Sequence, residues 1–104
     1  MKQLTNSILR IKLDIDLASV EKVEFAFSQT QTSAPKKLAV YPSDEVINLG
    51  GNVLGVVWSA EETRQFVADN DFYVDTRIKL YNSDYNPETK MATAFMERTL
   101  FREE

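Results

Sequence analysis

Apolar and polar residues alternate along most of this chain, with a dominant period of two rather than 3.6. Leu9, Ile11, Leu13 and Ile15 alternate with Arg10, Lys12, Asp14 and Asp16, the pattern of a strand with one wet face. Val23, Phe25 and Phe27 alternate with Glu24, Ala26 and Ser28 in the same way. The small polar residues from Ser28 to Pro35 read as a loop, and a third strand follows from Lys37 to Tyr41. Pro42 ends or bends it, because proline lacks the N–H that a ladder needs. Two apolar runs, Val46 to Leu49 and Val53 to Trp58, flank Gly50-Gly51-Asn52; glycine adopts the positive φ of tight hairpin turns, so the spacing predicts strand, turn, strand. The longest strand is predicted over Phe72 to Tyr81, with Phe72, Val74, Thr76, Ile78 and Leu80 on one face and Tyr73, Asp75, Arg77, Lys79 and Tyr81 on the other. After a polar loop from Asn82 to Glu88, a last strand from Lys90 to Phe101 carries hydrophobes on both faces: Met91, Phe95 and Phe101 on one, Ala92, Ala94, Met96 and Leu100 on the other.

One segment breaks the strand pattern. Ser59-Ala60-Glu61-Glu62 fits a capping box, in which the Ser59 hydroxyl accepts from the Glu62 N–H and the Glu62 carboxylate accepts from the Ser59 N–H. Two glutamates in the first turn also suit the positive end of the helix dipole. This predicts a short helix near residues 60–67, with Ala60, Thr63, Phe66 and Val67 facing inward and Glu61, Arg64 and Gln65 in water. Asp69-Asn70-Asp71 then makes the turn into the long strand. The count points to an all-β fold, an antiparallel two-sheet sandwich of immunoglobulin-like type with about seven strands and one short helix, in preference to a barrel. Residues 1–104 make a single β-sandwich domain, since independent cores need on the order of 100 residues each.

Composition narrows the function. With no histidine and no cysteine, the chain lacks the usual general base near neutral pH, the thiolate nucleophile, and the imidazole and thiolate ligands of zinc and copper sites. The expectation is a protein that is not an enzyme, with no catalytic, cofactor-binding or metal-binding residues. A net charge of −4 argues against a generic grip on nucleic acid or an anionic membrane. The longest apolar run, Val53 to Trp58, is far short of the roughly 20 residues that span a bilayer, and Arg10, Lys12, Asp14 and Asp16 interrupt any signal-peptide core. The expected origin is the cytoplasm.

Several groups of residues have both a chemical and a structural reading. Asp14 and Asp16, two apart on a strand face, match the paired carboxylates of some hydrolases, or simply share a solvated face with Arg10 and Lys12. Asp69-Asn70-Asp71 and the loop Asn82 to Glu88 are rich in oxygen but lack the glycine-hinged spacing of calcium loops, so turn chemistry is favoured. Without a histidine to activate it, Ser59 reads as a cap together with Glu62. Lys36-Lys37 reads as a soluble start to the third strand. The open question is the ridge of Tyr73, Arg77 and Tyr81 on the polar face of the longest strand, joined by Phe95 and Phe101 on the two-sided last strand. Tyrosine and arginine are enriched at binding hot spots, which makes these five residues interface candidates. The alternative is ordinary cross-strand pairing, such as Arg against Glu.

The stretch from Asp16 through Leu17, Val20, Glu21, Val23, Phe25 and Phe27 to Gln29 resembles the opening of small prophage-borne proteins of Gram-positive bacteria. Trp58-Ser59-Ala60-Glu61-Glu62-Thr63 with Phe66, then Val74, Arg77, Ile78 and Lys79, and Met91-Ala92-Thr93 are similar to further segments of those proteins in the same order. The chain departs from that pattern at Asn82 to Glu88, where a longer loop with Tyr85 and Pro87 replaces a short hairpin. The resemblance implies a phage structural or virion-associated protein with a β-sandwich fold, similar to N-terminal modules of upper baseplate proteins. It further implies other virion proteins or further copies of the chain as partners, and residence in the bacterial cytoplasm during assembly and then in the virion. The competing function is a host-surface carbohydrate-binding module, in which Trp58, Tyr73 and Tyr81 would be stacking platforms.

Overall fold

In the computed structural model, which describes residues 1–30, 34–81, 89 and 91–98, the alternating segments form seven strands. They are β1 (Ser7–Lys12), β2 (Val20–Ser28), β3 (Lys37–Tyr41), β4 (Val46–Gly50), β5 (Val53–Trp58), β6 (Asn70–Leu80) and β7 (Ala92–Met96), with one helix, α1 (Ala60–Arg64), between β5 and β6. The strands make two antiparallel sheets, ordered β1-β5-β4 and β3-β2-β6-β7. The hairpins β2/β3, β4/β5 and β6/β7 each stay within one sheet, and the chain changes sheet between them. That interleaving is the arrangement of an immunoglobulin-like sandwich. Residues 1–3 run beside the end of β7, with the Gln3 N–H donating to the Glu97 carbonyl at 2.9 Å, before the chain crosses to β1.

The inner faces follow from the period of two. Val23, Phe25 and Phe27 from β2, Leu54, Val56 and Trp58 from β5, and Phe72, Val74 and Ile78 from β6 are buried between the sheets. At one end an aromatic cluster ties both sheets to the helix segment. Trp58 packs edge-on against Phe27 and Phe66 at centroid distances of 4.8 and 5.2 Å, and Phe66 against Phe72 at 5.2 Å. Such pairs contribute about 0.5–1.5 kcal/mol each beyond area burial. The β4/β5 turn uses the positive φ of Gly50, Gly51 and Asn52, at 86°, 61° and 63°, as the glycine pair predicted.

Four boundaries depart from the sequence pattern. β1 ends at Lys12, so Leu13 and Ile15 reach the core from the segment after the strand. α1 ends at Arg64, not Val67, because Phe66 must swing into the aromatic cluster; Val67 is consequently exposed, with its N–H and carbonyl both held by the Gln29 side chain. β6 begins at Asn70 and ends at Leu80, so of Asp69, Asn70 and Asp71 only Asp69 lies in the turn, at φ 58°. β7 covers only Ala92–Met96; Lys90, Leu100 and Phe101 and the loop Asn82 to Glu88 lie outside the described residues.

Candidate interaction surface

The outer face of β3-β2-β6-β7 is assembled by the ladder register. Ala26 pairs with Leu38 on one side and Asp75 on the other, and Glu24 pairs with Arg77 and lies opposite Val40. Tyr73 sits between Ser28 and Thr93, and Asp71 opposite Phe95. Because Phe25 and Phe27 point inward, the same register turns Lys37, Ala39 and Tyr41 toward the interior and Leu38 and Val40 toward solvent. Leu38 is 64% exposed, and Phe95 46%. Together with Ala26, Glu24, Asp75 and Arg77, Leu38 and Val40 line a shallow depression of about 240 Å³.

Arg77 donates to Glu24 at 2.7 Å, and Lys22 approaches the other oxygen of the same carboxylate at 3.1 Å. These two cations hold the Glu24 carboxyl below its ordinary range, and Glu24 in turn raises the Arg77 guanidinium above its own. Cross-strand pairing therefore accounts for Arg77. Tyr73 is half-buried on the same face, and Tyr81 lies just past the end of β6, 56% exposed, with its N–H on the Ser19 carbonyl. Of the two-sided last strand, Met96 is buried while Phe95 and neighbouring Met91 face solvent. Phe101 falls outside the described residues. The structure thus brings Tyr73, Arg77 and Phe95 onto one face, sets Tyr81 at its end, and adds Leu38 and Val40, which sequence reasoning missed. Lys-Leu-Ala-Val-Tyr carries apolar residues in both parities, so only the pairing with β2 decides which of them face out.

The other candidates resolve into structural roles. Both halves of the capping box form: the Glu62 N–H donates to the Ser59 hydroxyl at 3.2 Å and the Ser59 N–H to the Glu62 carboxylate at 2.9 Å. Asp14 and Asp16 do not share a strand face, since β1 stops before them; Asp16 caps a short 3-10 turn at Leu17–Ser19 by accepting from the Ala18 N–H at 3.0 Å. Asp69 is bound to Arg98 at 2.7 Å, which lowers its carboxyl from the ordinary value. Lys37 is not a solvated strand start. Its side chain is buried over Trp58, and its ammonium pairs with Glu62. Trp58 itself has no exposed surface, and its indole N–H has no hydrogen-bond partner among the described residues, so it cannot serve as a stacking platform. No helix among the described residues is long and apolar enough to cross a membrane.

No family model matches the chain, and no curated protein does. Among solved structures it is similar to the extracellular domain of the voltage-gated sodium channel beta4 subunit, whose parallel homodimers are described as explaining a role in cell–cell adhesion. The two chains share 16% identity over 93% of this chain and 85% of that one, with a TM-score of 0.41.

Proposed function

We propose that this domain is a non-enzymatic contact module whose working surface is the outer face of β3-β2-β6-β7. The observation that carries the reading is the inversion at β3: the register buries a lysine and exposes Leu38 and Val40 at one edge of this face, while Phe95 and Met91 are exposed at its β7 edge and the half-buried Tyr73 lies between the two edges. Exposed apolar side chains at the two edges, with the Glu24, Asp75 and Arg77 charges between them, make a mixed apolar and charged surface of the kind that protein partners bind. The resemblance to prophage-borne proteins supports a setting in a phage baseplate or tail, with other virion proteins or further copies of the chain as partners, in the host cytoplasm during assembly and then in the virion. The carbohydrate-binding alternative loses Trp58 to the core and is left with Tyr73 and Tyr81.

The test is the double substitution Leu38→Glu and Val40→Glu, both at exposed positions. Incorporation into particles, or self-association measured by sedimentation, is expected to fall about tenfold or more, as for loss of interface anchor residues, while the circular dichroism spectrum is unchanged. Undiminished association, or binding on a glycan array that Tyr81→Ala abolishes, would overturn the reading.

A further inference from the structure

We infer that the free edge of β1 is a second binding site, which accepts an extended acidic segment of a partner protein as an added strand. β1 ends the order β1-β5-β4, so the backbone groups on its far side face no described strand. The other sheet ends are blunted. Residues 1–3 cover the end of β7, with the Met1 ammonium on the Phe95 carbonyl at 3.0 Å. β4 has a register irregularity between Asn48 and Gly50 and folds back in a Ser43–Val46 bridge, and β3 lies between Pro35 and Pro42. β1 has no such device: its pairing with β5 is regular from Ser7 to Lys12, without proline, glycine or bulge. Leu9 and Ile11, on its inner face, are left only half-buried.

The side chains specify the occupant. Ile8, Arg10 and Lys12 line the outer face of β1 and are exposed. Among the described residues Arg10 and Lys12 make no ion pair, whereas Lys22, Lys37, Arg64, Arg77, Lys79 and Arg98 each meet a carboxylate. Lys2 and Lys36 also meet no carboxylate among the described residues, but they stand singly; Arg10 and Lys12 are two such cations side by side on one strand face, in a chain of net charge −4. They repel a second copy of β1, since like charges across a strand pair are destabilising. A strand with carboxylates at alternate positions sets them against Arg10 and Lys12, and places its other side chains beside Leu9 and Ile11. Main-chain hydrogen bonds then supply affinity and the alternate side chains specificity. This site is on the opposite sheet from the contact face proposed above and stands independently of it.

The probe is a short fluorescein-labelled peptide alternating valine and glutamate, titrated into the full chain and followed by fluorescence anisotropy. Saturable binding is expected, weakened about tenfold or more by the double reversal Arg10→Glu and Lys12→Glu and by raised salt, and untouched by Leu38→Glu with Val40→Glu. The reversed protein is expected to prefer the valine–lysine peptide. Methylating alternate backbone nitrogens of the probe is expected to abolish binding to the unaltered chain, a comparison that holds even if the reversed protein folds poorly. Absence of saturable binding, or binding indifferent to charge reversal or to backbone methylation, overturns the proposal.

Discussion

The Lys37 ammonium has given up nearly all of its water, and in exchange it holds the Glu62 carboxylate and lies 5.3 Å from the centre of the Trp58 ring. A lysine tolerates burial only with such company, its aliphatic stem serving as core and its head as one half of an ion pair. Partial burial acts to raise the Glu62 carboxyl, but the Lys37 hydrogen bond and the Ser59 N–H outweigh it and hold the group below its ordinary value of 4.5. A carboxyl depressed in the folded state contributes stability that is complete above its unfolded value and is lost as pH falls through the folded one. Unfolding by urea, followed by the fluorescence of Trp58, the chain's single tryptophan, is therefore expected to show stability declining as pH drops below about 4.5. In Glu62→Gln that decline should be shallower. The same variant keeps an acceptor for the cap but strands the Lys37 charge, and at neutral pH it should lose roughly 1–3 kcal/mol. Equal acid sensitivity in the two proteins would remove Glu62 from the explanation.

At the scale of elements, the helix was the easiest to read and the most easily misjudged in length. Ser59 and Glu62 announce its start through a reciprocal pair of hydrogen bonds, a local interaction that a short sequence window contains whole. Its end depends on where Phe66 has to go, a tertiary demand that such a window does not contain. Ser59→Ala should cost about 1 kcal/mol in chemical denaturation, while Ser59→Asp, which keeps an acceptor, should recover most of it. The strands divide in the same way. β2 and β6 were legible because Phe25, Phe27, Phe72 and Val74 stand in one parity against mostly polar neighbours. β3 was legible as a strand over its full Lys37–Tyr41 span but not as to facing, because both parities are apolar and the aromatic faces of its partner β2 decide. The same ambiguity hid the surface: Tyr73, Arg77 and Phe95 stood out by residue type, whereas Leu38 and Val40 looked like core.

Taken as a whole molecule, the sandwich places its aromatic cluster at one end and its exposed hydrophobes on the outer faces. The longest cross-sheet obligations, Trp58 against Phe27 and Phe72, hold the interior, and Phe72→Ala is expected to cost about 3–5 kcal/mol in the same denaturation assay. Exposed apolar side chains add nothing to that interior. On the proposed reading, Leu38, Val40, Met91 and Phe95 are covered by a partner outside the chain, while the paired charges of Glu24, Arg77 and Lys22 lie between them on the same face. The most direct measurement of that claim is site-specific photo-cross-linking with a benzophenone side chain at Leu38, in cells that express the chain from its native gene, with an exposed helix position, Glu61, as the control. The expected result is a discrete adduct, to a second protein or to another copy of this chain, formed from position 38 and absent from position 61. No adduct at position 38, or the same adducts at both positions, would contradict the account.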